Sequence, residues 1–158
     1  MKYEYIEIWR KLSDIPRLML REKNSIATFK TIYPRQGFSS KGGGFEKSFM
    51  ETILEQSSDV LAYAKLDKRH ALLIPYRDGY GILREYEVDF VIKRNEKMYL
   101  VETKADKDLY EPSVLLKAKA AHIWCLNASK VLPPEDMSQP KIGNIWCYQK
   151  DCLRQIQG

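Results

Sequence analysis

The sequence predicts an α/β domain in which a helix, three strands, a second helix and a last strand follow one another. Three observations carry this. Two runs rich in β-branched and aromatic residues, 84–93 and 98–104, flank the polar Arg94-Asn95-Glu96-Lys97 and read as a β-hairpin. Apolar residues recur at helical spacing, about 100° per residue, after Gly44 and again after Pro112. At 158 residues, the chain has the size of one ordinary domain with a real core.

The segment from Tyr3 to Glu22 reads as helix, with Ile6, Trp9, Leu12, Leu18 and Leu20 apolar and an interruption at Pro16. The run Ser39-Ser40-Lys41-Gly42-Gly43-Gly44 precedes the first core helix. It either presents backbone N–H groups to a phosphate or is a flexible loop. It lacks the G-x-x-x-x-G-K-[ST] spacing of a nucleotide-binding loop.

The first core helix is expected over residues 44 to about 56, with Phe45, Phe49, Met50, Ile53 and Leu54 on one apolar face. Glu46 projects from the middle of that face, while Glu51 and Glu55 fall on the opposite, solvent side. Two readings of Glu46 stand side by side. A carboxylate within an apolar stripe needs a partner and becomes a candidate site residue. An acid in a first turn is also favoured by the helix dipole, here with Lys41 and Lys47 nearby.

A first strand is expected over residues 71–76, and Gly79-Tyr80-Gly81-Ile82 reads as the turn into the next. The hairpin supplies the second and third strands. The second helix should begin at Pro112, with Ser113 close behind. Val114, Leu115, Ala118, Ala121, His122 and Cys125 share one face, and the helix ends near Asn127. Lys117 and Lys119 on this helix either reach phosphate or, the favoured reading, are ordinary solvated lysines. Pro133-Pro134-Glu135-Asp136 and Pro140 mark a loop before a last strand over residues 144–149. The expected organisation is a single domain over 1–158: a helical segment (1–23), a core (24–130), and a C-terminal loop and strand (131–158).

The hairpin carries the candidate site. With a connection of two residues (Asn95-Glu96) or of four, Asp89 lies directly opposite Glu102. Directly opposed residues share a face, and period-two alternation adds Lys104 to it. The other face then holds Val88, Phe90 and Ile92 against Tyr99, Val101 and Thr103. Leu100 and Val91 share the carboxylate face, so both faces should be covered. A three-residue connection would slip the register by one residue and separate the trio.

Two carboxylates side by side in a covered sheet repel each other, and a cation or a proton must offset the cost. All-oxygen ligands suit a hard ion such as Mg2+, which binds through one or two carboxylates plus substrate phosphate. Such an ion polarises a phosphoryl oxygen and acidifies bound water. A neighbouring lysine orients that water or stabilises transition-state charge. The spacing alone is common in a chain with 30% charged residues; the strand context gives it weight.

Composition narrows the alternatives. No apolar run has membrane-spanning length and no signal-peptide pattern is present, so a soluble, cytoplasmic protein is expected. Cys125, Cys147 and Cys152 form no CxxC pair and suit reduced thiols. With His70 and His122 as the two histidines, a histidine–cysteine zinc site and an HNH-type nuclease are disfavoured. A net charge of +5 suits a polyanionic partner without identifying one. Basic residues gather at Lys65, Lys68 and Arg69, at Arg77 and Arg84, and at Lys93, Arg94 and Lys97. They either converge on one phosphate-binding surface or form a scattered solvated face.

At Val88-Asp89 and Glu102-Thr103-Lys104 the chain resembles the PD-(D/E)XK nuclease superfamily, with valine in place of the proline. Longer stretches add to this: Gln36-Gly37-Phe38-Ser39-Ser40-Lys41-Gly42-Gly43-Gly44-Phe45-Glu46-Lys47-Ser48-Phe49, then Leu61-Ala62-Tyr63-Ala64-Lys65-Leu66, then Leu73-Ile74-Pro75-Tyr76. Together they resemble the C-terminal endonuclease region of type III restriction enzyme Res subunits, over about residues 24–129. The resemblance implies a restriction-endonuclease-like αβββαβ core, a central mixed sheet flanked by helices. It also implies Mg2+-dependent cleavage of DNA, with Mn2+ as a possible substitute. Asp89, Glu102 and the Thr103 carbonyl would hold the ion, Lys104 would position the water, and Glu46 would be an outer acid. Res subunits also contain a helicase motor and work with a modification (methyltransferase) subunit, which become expected partners beside DNA. The alternatives are a non-catalytic nucleic-acid-binding domain with a nuclease-like fold, and a repair or recombination nuclease.

Overall fold

The computed structural model describes residues 20–39, 44–95 and 97–130, and beyond them the backbone of three short strands near the end of the chain. Residues 1–19 of the segment expected to be helical, residues 40–43 of the glycine-rich run and the loop at Pro133–Pro140 lie outside the described residues; at the end of that first segment Glu22–Asn24 form a short 3-10 turn.

In chain order the strands are β1 (Ser25–Ala27), β2 (Arg35–Gly37), β3 (Val60–Lys65), β4 (Leu73–Arg77), β5 (Leu83–Glu87), β6 (Phe90–Arg94), β7 (Lys97–Thr103), β8 (Lys141–Ile142), β9 (Trp146–Gln149) and β10 (Cys152–Gln155). The helices are α1 (Phe45–Ser48), which runs on as a π-helical segment over Phe49–Leu54, and α2 (Pro112–Ala128). Helices and strands are thus mixed, as the α/β expectation requires.

The main sheet runs in the order β10-β9-β7-β6-β3, with β8 also beside β7. β6 is antiparallel to both of its neighbours, β3 and β7, whereas β8 and β9 are parallel to β7. A parallel return needs a long crossover, and α2 lies in the segment that makes it. β1 and β2 pair as a separate ribbon, and so do β4 and β5.

This corrects the expected first strand. Residues 73–77 do form a strand, and the turn at 79–82 is where it was expected, with Asp78 Oδ1 accepting from the N–H groups of Tyr80 and Ile82. But β4 pairs with β5 alone, and the strand beside β6 is β3. The Leu-Ala-Tyr-Ala-Lys run of β3 has little β-propensity of its own. Its place is set by packing: Val60 and Tyr63 are buried with Phe90, Ile92 and Val101.

The run 84–93 is also not one strand. β5 ends at Glu87, β6 begins at Phe90, and Asp89 sits in a bend between them. Beyond the bend the alternation is as expected: Phe90, Ile92 and Val101 pack with Phe49, Met50 and Leu54 of the first helix, while Val91 and Leu100 pack toward Ala121 and Cys125 of α2. Before it the phase slips. Val88, expected beside Phe90, is buried with Tyr86 on the α2 side.

The first helix forms where expected, and Phe49, Met50 and Leu54 are its buried residues. Its π turn closes with the Glu55 N–H on the Met50 carbonyl (2.9 Å). A π turn takes more residues than an α turn, so later side chains lag in angle. Glu51 is exposed as expected, but Glu55 comes round to accept from the Tyr63 hydroxyl (2.9 Å) and the Phe29 N–H (3.2 Å). Burial first, and Glu55 second, raise the Tyr63 pKa. On α2, Val114, Ala118, Ala121 and Cys125 are buried, while Leu115 faces solvent. Burial pushes the Cys125 thiol up to about 12, which keeps it protonated. Among the described residues no helix is long and apolar enough to cross a membrane.

The β6–β7 connection fixes the register. Arg94 pairs with Lys97, which leaves two residues between them, and Asn95 takes the left-handed backbone conformation (φ 49°). Asparagine tolerates this region, whereas a Cβ-bearing residue without a short polar group pays about 1–2 kcal/mol there. Asn95→Ala should therefore lower unfolding free energy by about 1 kcal/mol, with Asn95→Gly near parent. Urea denaturation of the two variants checks this, and equal stability of Ala and parent would count against the turn.

Candidate active site

Paired rungs run from Arg94–Lys97 to Phe90–Val101. One rung further lie Asp89 and Glu102, as the two-residue connection requires. On the far side the ladder also continues, with the Leu66 N–H donating to the Asp89 carbonyl (2.8 Å). The Asp89 backbone is thus held from the β3 side although it lies in a bend.

The Asp89 carboxylate turns toward the end of β7. Its Oδ2 accepts from both the Thr103 N–H and the Thr103 hydroxyl, each at 2.8 Å. Thr103 therefore meets Asp89 through its donors; the contact does not involve the carbonyl assigned to an ion by sequence reasoning. These bonds fix Asp89 and leave its Oδ1 without a hydrogen-bond partner among the described residues.

Glu102 is 8% exposed, one of the few buried polar residues. Lys104 Nζ lies 2.6 Å from its Oε1, and the Tyr86 hydroxyl donates to its Oε2 at 3.0 Å. Burial raises the Glu102 pKa, and the negative charge of Asp89 adds to this; Lys104 and Tyr86 act in the opposite sense. The two carboxylates therefore feel each other electrostatically. The lysine already supplies one positive charge to the pair.

Glu46 is placed differently. Its Oε1 is 3.1 Å from Lys65 Nζ and its Oε2 accepts from the Ser39 N–H (2.9 Å). Both side chains of this ion pair are largely shielded, at 17% and 15% exposure, and Lys65 also lies over the Phe90 ring. Glu46 thus has the partner that an acid in an apolar stripe requires, and the partner is a lysine of β3. Among the described residues no three His, Cys, Asp or Glu side chains come together as a metal-holding group.

Two residues were missed. Strict alternation along an unbroken strand puts Tyr86 on the face away from Glu102; the phase slip at the bend carries it to the carboxylate. Lys117, favoured as a solvated lysine, lies with Nζ 5.7 Å from the Tyr86 ring centroid and 5.9 Å from that of Tyr76. Lys119 is exposed, as expected. A signal for the slip was present in the drop of apolar density before Val88: of Leu83–Glu87, Tyr86 alone is buried.

Each basic cluster has at least one residue paired in place. Arg69 pairs with Asp67, Arg84 with Asp78 and Arg94 with Asp59. Hydrogen bonding from Arg69 holds the Asp67 carboxyl down at about 2. Lys68, Lys93 and Lys97 remain exposed.

No protein-family model, curated protein or solved structure matches the chain. Asp89 and Glu102 offer oxygen ligands alone, the donor set that suits Mg2+ or Mn2+ and disfavours zinc. Two such carboxylates are enough where substrate phosphate and water complete the shell. The residues present fit a divalent ion of this kind, without Glu46 as a ligand.

Proposed function

We propose that this chain is a Mg2+-dependent endodeoxyribonuclease domain of the PD-(D/E)XK kind, related in function to the C-terminal region of type III restriction Res subunits. The observation that carries the reading is the buried Glu102 beside Asp89, with Lys104 2.6 Å from Glu102 at the end of the same strand. The arrangement of α1, β3, β6, β7, α2 and β9 supports it, since a helix, three antiparallel strands, a helix and a parallel strand make an αβββαβ core. On this reading the β4–β5 ribbon is an insertion between the first and second core strands.

When bound, the ion would act as a Lewis acid on the scissile phosphate and acidify a water. The chain's own residues do the rest. Thr103 locks Asp89, so that the carboxylate needs little reorganisation to meet a cation. Lys104 neutralises Glu102 in the resting site and is placed to stabilise charge that develops on phosphate or water. DNA is the proposed substrate, and a helicase motor and a modification subunit are the proposed partners.

Nicking of supercoiled plasmid with Mg2+ or Mn2+ tests the reading, with Asp89→Ala and Lys104→Ala beside the parent. Both variants should lose cleavage, by at least ~10²-fold for Lys104→Ala, while retaining DNA binding. Equal cleavage by all three would sink the assignment and indicate a contaminating nuclease. DNA binding without cleavage by any of them, even with motor and modification subunits added, would favour the non-catalytic binding domain.

A further inference from the structure

We propose that Tyr86 is the positioning residue for Glu102, and that Lys117 acts on Glu102 through it. The inference rests on the proposed metal-binding role of Asp89 and Glu102. Its starting point is that the two Glu102 oxygens are not equivalent: Oε2 takes the Tyr86 hydroxyl and Oε1 takes Lys104. A carboxylate held in this way cannot rotate without breaking a buried hydrogen bond. Oε1 is thereby turned to the side on which Lys104 lies.

The hydroxyl can fix Glu102 because the ring itself is fixed. Tyr86 is 6% exposed and packs with Ile74, Val88, Ala121 and Cys125. It belongs to the β4–β5 ribbon, which is not hydrogen-bonded into the main sheet. The ribbon therefore reaches the carboxylate through this side chain, and the bend at Asp89 is what permits it.

Lys117 adds an electrostatic contribution from α2. A cation over a phenol ring is attracted by the π face and draws electron density from it. Polarised donors make stronger hydrogen bonds, so Lys117 strengthens the donation from Tyr86 to Glu102. Three separately paired elements, the sheet, the ribbon and α2, thus converge on one carboxylate. Partners that orient metal-binding carboxylates typically change metal affinity by about 10–100-fold when removed.

The test is Mn2+ binding by the whole chain, read from the electron paramagnetic resonance of the free ion, for the parent, Tyr86→Phe, Lys117→Met and Asp89→Ala. Tyr86→Phe keeps the ring and should weaken the Kd by about tenfold or more; Lys117→Met should weaken it less, by a few-fold. Plasmid nicking by Tyr86→Phe should fall at limiting Mn2+ and recover toward the parent at saturating Mn2+, a response that a purely packing role would not give. A parent-like Kd in Tyr86→Phe overturns the proposal. If Tyr86→Phe does not fold, a parent-like Kd in Lys117→Met overturns it. Parent binding that Asp89→Ala leaves intact would overturn the metal-site reading and this inference with it. Parent binding lost in Asp89→Ala but unchanged in Tyr86→Phe would overturn only the role of Tyr86.

Discussion

Phe90→Ala should cost about 3–5 kcal/mol of unfolding free energy, enough to leave much of the chain unfolded at 37 °C when total stability is about 5–15 kcal/mol. Phe90 is fully buried, meets Phe49 edge to face with ring centroids 5.3 Å apart, and carries Lys65 over its ring. Truncation removes the contact between sheet and first helix at its centre. It also loosens the residue next to Asp89. Phe90→Leu, which keeps most of the volume, should lose clearly less. Urea denaturation followed by circular dichroism measures both, and a loss below about 1 kcal/mol for Phe90→Ala would mean that the helix does not pack on this face.

The sequence made this layer legible and left the carboxylate layer only partly so. Phe90, Ile92 and Val101 follow strand alternation, and Phe49, Met50 and Leu54 follow helical spacing, so their meeting needed only the two periodicities. The opposition of Asp89 and Glu102 followed from the number of residues between Arg94 and Lys97. What could not be read was set by tertiary contacts. β3 looks helical by composition and becomes a strand because Phe90 and Ile92 need a neighbour. The break at Asp89 lies within a run that looks continuous, and it alone brings Tyr86 to Glu102. Glu46 was rightly singled out as an acid needing a partner, but nothing in the helix pattern told that Lys65 would supply one.

Glu102→Gln should melt above the parent at pH 8 without divalent ions, and below it when Mn2+ is saturating. The first half follows from the raised pKa of Glu102, caused chiefly by burial and then by Asp89. At any pH above that raised folded value the carboxyl is ionised in the folded and unfolded chain alike, and the folded chain bears the cost of a buried charge beside another. As pH falls through the raised folded value the native state takes up a proton before the unfolded state does. Stability contributed by Glu102 therefore grows on acidification and is complete below the ordinary value of 4.5. The advantage of Glu102→Gln should accordingly shrink as pH falls toward the ordinary value of 4.5. The amide oxygen can still accept from Lys104 and the amide NH2 can donate to the Tyr86 hydroxyl oxygen, so the substitution removes charge more than it removes bonds. The second half follows from mass action: an ion at 100 times its Kd stabilises the state that binds it by about 2.7 kcal/mol, and the variant lacks one of two charged ligands. Thermal melts at pH 5 and pH 8, with and without Mn2+, read the crossing directly. A variant that melts below the parent at pH 8 without metal would show that Lys104 and Tyr86 outweigh burial at Glu102. An equal Mn2+ response in variant and parent would remove Glu102 from the metal site. The crossing itself would mean that the charge which destabilises the empty fold is the charge that the ion requires.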